Sequence, residues 1–176
     1  LYKWQAAPGG KHRASIFFSG SAHGSARRAA AELLEHYDVG ADLWSATSYK
    51  LLREDGLETE RWNRLHPLAS PRKSRVESIL GESTGPIIAV SDFMRSVPLQ
   101  ISPYVGSRKF VALGTDGMGR SDTREALRRH FEIDAAHVVV AVLAELANAG
   151  SIDGKAVADA IARYGIDPET KSALNK

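Results

Sequence analysis

Between Gly114 and Asp122 the sequence reads GTDGMGRSD, with three glycines, two acids (Asp116 and Asp122) and one cation (Arg120) in nine residues. Such a segment can do chemistry in two ways. Glycines let bare N–H groups gather at a helix start, where a guanidinium helps hold a phosphate. Carboxylates on a tight turn can instead offer oxygens to a hard cation. The apolar run Lys109–Leu113 (KFVAL) precedes the loop and reads as a strand, and the run Thr123–His130 follows it as a helix. A loop leaving the carboxyl end of a parallel strand stands where α/β sheets bind ligands. Asp122 and Glu125 also have the spacing of a capping box, which assigns the loop the local task of starting that helix.

The spacing argues against both ligands. Gly114, Gly117 and Gly119 do not form G-x-G-x-x-G, the earlier turn FFSGSAHG does not either, and no Walker pattern is present. Thiamine diphosphate enzymes hold their metal through Gly-Asp-Gly and a later Asn. Here Thr115 stands in place of the leading glycine, and Asn148 falls at a helix end, so the oxygens do not converge. None of the six histidines has the i, i+4 spacing of a helical metal pair. His23 follows the first strand but has neither a nearby carboxylate to orient it nor a nucleophile to serve. The loop therefore reads as a structural turn, and no catalytic, cofactor-binding or metal-binding residue is assigned.

Composition narrows the classes further. Twenty-three Lys and Arg against 21 Asp and Glu leave a net charge of +2, without the dense cationic footprint of a nucleic-acid binder. Arg27-Arg28, Arg72-Lys73-Arg75 and Arg128-Arg129 read as solvated helix faces. With no cysteine, disulfides and thiolate chemistry are excluded, which fits the cytoplasm. The longest apolar-leaning run, Ala135–Ala147, carries His137 and Glu145 and is shorter than the roughly 20 residues of a membrane span. The opening LYKWQAAPGG has no initiator Met and no signal-like core, which suggests a piece cut from a longer chain.

These residues need elements to hold them. Ala14–Phe18 (ASIFF) reads as a buried strand, Ser25–Tyr37 as an amphipathic helix ending near Gly40, and Ala41–Thr47 as the next strand. That order favours parallel pairing. Tyr49–Leu68 reads as one or two short helices, and Ser70-Pro71 as the start of another. Pro86–Val90 is a strand, after which Ser91 caps a helix that Pro98 bends or splits. Thr123–His130, Ala135–Ala149 and Gly154–Tyr164 close the chain as helices, the last two with Asp134 and Asp153 as caps. The expectation is one α/β domain over residues 1–176, with sheet and helix interleaved.

The runs ERWNRLHPL (Glu60–Leu68), GTDGMGRSDTREALRRHFEIDAAHVVVAVLAELA (Gly114–Ala147) and DGKAVADAIARYGID (Asp153–Asp167) resemble the C-terminal domain of the homodimeric, bacterial-type pyruvate dehydrogenases, from LYKW onward. The resemblance implies a three-layer fold, a mostly parallel (mixed) sheet of about five strands flanked by helices, as in transketolase C-terminal domains. It implies the third domain of a larger enzyme that decarboxylates pyruvate and reductively acetylates a lipoyl group. Thiamine diphosphate and Mg²⁺ would be held by the other domains and none by this one. Implied partners are a second copy, the N-terminal and middle domains, and the dihydrolipoamide acetyltransferase component, with no nucleic acid or membrane. Pro98 departs from the family's uninterrupted helix, putting Phe93–Tyr104 in question. Within this reading Asp116, Arg120 and Asp122 are the candidate inter-domain or dimer contacts. The alternatives are an independent Rossmann-like module for a nucleotide or regulator, and the equivalent domain of another transketolase-like enzyme.

Overall fold

The computed structural model describes residues 1–81 and 83–175. Five strands form one sheet: β1 (Tyr2–Gln5), β2 (His12–Phe18), β3 (Val39–Ser45), β4 (Ile87–Val90) and β5 (Phe110–Leu113), in the order β1-β3-β2-β4-β5. The last four are mutually parallel, and β1 lies antiparallel on the edge beside β3. This is the mixed, mostly parallel sheet expected. The edge strand β1, YKWQ, is only four residues long, and all four are exposed.

Period-two alternation divides the sheet's side chains between two cores. Ala14, Ile16 and Phe18 of β2 join Leu43, Ile88 and Val90 beneath α1 (His23–Tyr37) and α6 (Ala135–Asn148), with Ala160 of α7 (Gly154–Arg163) in the same cluster. Phe17 points the other way and meets Trp44, Ile87 and Ala89 beneath α2 (Tyr49–Leu65) and α3 (Arg75–Leu80). The short helices α4 (Ser96–Leu99) and α5 (Arg124–His130) follow β4 and β5. Helices cover both faces of the sheet, which gives the three layers.

Several boundaries differ from expectation. Tyr49–Leu65 is one continuous helix, even though Gly56 lies in its middle. A Cβ at Gly56 would overlap the Tyr104 ring, so the glycine lets an aromatic from the facing segment press onto the helix. That packing offsets the roughly 1 kcal/mol a mid-helix glycine costs. Ser70-Pro71 does not start a helix. α3 begins after Ser74, whose hydroxyl accepts from Glu77 N while Glu77 accepts from Ser74 N, a complete capping box. Gly40 lies within β3 and does not end α1, which closes on Asp38 in the left-handed region at φ 53°.

Asp122 does not cap α5 either. Thr123 is the cap, accepting from Ala126 N at 3.3 Å, and Asp122 accepts from Thr123 N. Ser91 accepts from Phe93 N in a tight turn, and Pro98 falls within the first turn of α4, where its missing N–H breaks no helical bond. The basic clusters are more than solvated faces. Arg72 lies 3.7 Å over the Trp62 ring, and Arg129 donates to the Tyr164 and Gly165 carbonyls at the end of α7. Arg128 donates to Ser21 O at 2.8 Å.

Candidate assembly face at the strand ends

Register brings Phe18, Val90 and Leu113 side by side at the carboxyl ends of β2, β4 and β5. The three loops that leave these ends brace one another. Thr115 donates its hydroxyl to Asp92 O at 2.9 Å and its amide to Phe93 O at 2.9 Å. The Asp92 carboxylate accepts from Ser21 N at 3.3 Å, which ties the β4 loop to the β2 loop. Asp116 accepts from both the amide and the Nε of Arg95, at 3.1 and 2.8 Å. Gly114 is required here, since a Cβ would overlap the Phe93 carbonyl oxygen and come within 2.8 Å of Arg95 N.

The three residues singled out from the sequence therefore take different places. Asp116 is a brace between two loops, with its side chain 22 % exposed. Arg120 and Asp122 face outward and pair only loosely with each other, at 3.8 Å. Asp92, Arg95 and Thr115 complete the arrangement, and the sequence reading missed them. The available signal was SDFMR directly after the strand PIIAV, since a polar segment at a parallel strand's carboxyl end is well placed for recognition. Around this bonded framework Phe93, Met94 and Met118 remain 51, 56 and 79 % exposed.

The Asp116 carboxylate already accepts from Arg95, while Asn148 donates to Glu145 at the end of α6. Among the described residues no three His, Cys, Asp or Glu side chains converge on a point. His23 sits at the first position of α1 with its ring 4.8 Å from Trp4 and 5.1 Å from Phe18, as part of an aromatic cluster. His137 is held by Asp134, whose carboxylate accepts from its backbone N at 2.9 Å and contacts its ring Nδ1 at 2.7 Å. Burial pushes the Asp134 carboxyl up, but the His137 bonds and Arg129 outweigh it and hold the group below the usual carboxylate range.

At the opposite end of the sheet charge is packed inside. Asp42, 6 % exposed, accepts from Lys3 Nζ at 3.0 Å, Ala7 N at 2.9 Å and Arg13 Nη2 at 3.3 Å. Burial opposes ionisation there, yet the Ala7 amide and the two cations prevail and keep the carboxyl below its ordinary value. Arg108 donates to Gly85 O, Thr84 O and the Ser15 hydroxyl, and burial lowers its guanidinium to about 10. No helix among the described residues is long and apolar enough to cross a membrane.

The fold and the braced loops can be compared with known proteins. The pyruvate dehydrogenase E1 component of Pseudomonas aeruginosa is 47 % identical over 164 residues, covering 93 % of this chain and 19 % of that protein. The Escherichia coli K12 protein of the same name is 45 % identical over 169 residues, covering 96 % of this chain and 19 % of that protein. That of Mycolicibacterium smegmatis is 46 % identical over 176 residues. The chain thus spans about a fifth of the length of these relatives. Among solved structures a split-gene transketolase, an inactive beta4 tetramer, aligns with a TM-score of 0.53 over 78 % of this chain and 40 % of its own at 21 % identity, a likeness of fold. Residues 1–134 match the model of the transketolase-like TK C-terminal domain. The chain belongs to that family of transketolase-like C-terminal domains.

Proposed function

We propose that this chain is the C-terminal domain of a pyruvate dehydrogenase E1-type enzyme and that its task is assembly. In that parent enzyme pyruvate is decarboxylated and a lipoyl group on the dihydrolipoamide acetyltransferase component is reductively acetylated. Thiamine diphosphate and Mg²⁺ belong to the N-terminal and middle domains of the cytoplasmic homodimer. The observation that carries the reading is the strand-end framework. Loops from three parallel strands are locked together through Asp92, Thr115 and the Arg95–Asp116 pair, while Phe93, Met94 and Met118 project outward beside Arg120. Rigid backbone under exposed apolar side chains with a polar rim is the anatomy of an interface, because the entropy of ordering the loops has already been lost before the partner arrives.

The occupant of this face is the remainder of the same enzyme or its second copy. Asp116→Ala and Arg120→Ala in the full-length enzyme should shift sedimentation toward monomer or lower pyruvate turnover. Unchanged sedimentation and turnover in both variants would refute an assembly role for these residues.

A further inference from the structure

The glycine loop is covered by this chain's own last turn. Gly117 has φ 105°, and a Cβ there would overlap the Ala173 carbonyl oxygen and lie 2.8 Å from its carbon. The turn Ala173–Asn175 thus occupies the place a side chain would take at position 117. Ala173 is 9 % exposed, while Leu174 beside it is 57 % exposed. The gap enclosed by Arg95, Gly114, Asp116, Glu132 and the turn is about 20 Å³, room for one water and no ligand.

The way this segment is held separates it from the loops beneath. Its hydrogen bonds are internal: Glu169 N and the Thr170 hydroxyl donate to the Asp167 carboxylate, and Asn175 N donates to Ser172 O. Among the described residues none joins Ser172–Asn175 to the glycine loop. Shape alone seats it, through a glycine without a side chain and an alanine with a small one. A segment held by few buried contacts belongs to the low-stability end of a fold and opens before the core does.

We propose that Ser172–Asn175 is a releasable strap: seated on Gly117, it holds the glycine loop in the conformation that presents Met118 and Arg120, and unseated, it frees that loop. The proposal rests on the assembly reading for its consequence, since the strap then governs whether the face is ready for a partner. It does not rest on it for the contact itself. Gly119, two residues on, has open space where a Cβ would go and lies outside the left-handed region, so it controls for adding a methyl to the loop, while removal of the turn itself isolates the contact from the backbone strain at Gly117.

The test compares Gly117→Ala, Gly119→Ala and removal of residues 171–176 in the 176-residue chain, read by amide hydrogen exchange. The truncation should speed exchange at residues 114–119 by about tenfold or more, and Gly117→Ala, which adds left-handed strain to the clash with the turn, at least as much, while Gly119→Ala and the amides of β2 stay as they were. Equal exchange in the truncated and intact chains overturns the strap, whatever the face does. The same truncation in the full-length enzyme is then sedimented. A loosened loop with an unchanged sedimentation profile leaves the strap standing and refutes the assembly reading.

Discussion

The two ends of the sheet are built on opposite plans. At the amino end polar groups are taken inside, and Asp42 is paired there. Asp42 has three donors, and Gly85, at φ 77°, would drive a Cβ into the Arg13 carbonyl oxygen. At the carboxyl end the bonds run between loops near the surface, and the apolar side chains are left facing out. A buried charge left without its partner is far costlier than an exposed one, so the first end is committed to the fold. The second is held through groups that water can reach.

That contrast can be broken by mutation, and the largest effect belongs to the amino end. Gly85→Val places a branched side chain at positive φ against backbone, and urea unfolding should show a loss of about 4 kcal/mol or no folded protein. Wild-type-like unfolding would mean the end is not close-packed. Asp42→Ala strips the acceptor from the Ala7 amide and from Lys3 and Arg13, which at 40 and 38 % exposed regain water, and should lose about 1–2 kcal/mol in the same assay.

Acidity sharpens the same point. The Asp42 carboxyl is depressed in the folded chain, so its contribution is fully present above the unfolded value, about 3.9, and is lost as pH falls through the lower folded value. The stability gap between wild type and Asp42→Asn should therefore hold at neutral pH and close below about pH 4. A gap constant down to pH 2 would assign the effect to packing.

At the carboxyl end the same kind of substitution should hardly touch the fold. Asp116→Ala should cost about 1 kcal/mol or less in urea, because Arg95 is 42 % exposed and water replaces the lost bonds. Arg120→Ala should fall within about 0.5 kcal/mol of wild type, since its pairing with Asp122 is exposed and long. If either destabilised the chain as much as Asp42→Ala, the two ends would not differ in the way described.

Much of the fold could be read along the chain because buried parallel strands announce themselves as apolar runs, and PIIAV and ASIFF lie within or beside β4 and β2. The helix caps Asp134 and Asp153 were legible for the same local reason: each side chain accepts from an amide two or three residues on. What local reading missed depended on distant residues. Tyr49–Leu65 is a single helix whose Gly56 makes room for the distant Tyr104, and β1 was invisible because its partner Trp44 lies about forty residues away. Of the face, the sequence singled out Asp116, Arg120 and Asp122 but not Asp92 or Arg95, whose meaning comes from loops 71 and 21 residues distant.

By itself, then, the order of residues determined the layered α/β class, the parallel sheet and the family resemblance, since each follows from periodicity and from runs of adjacent residues. Only the folded chain decided which acids are buried, which glycines are obligatory and which apolar side chains stay outside. Those properties are distances between segments far apart in sequence, such as Lys3 to Asp42 and Gly117 to Ala173, and no local pattern encodes them.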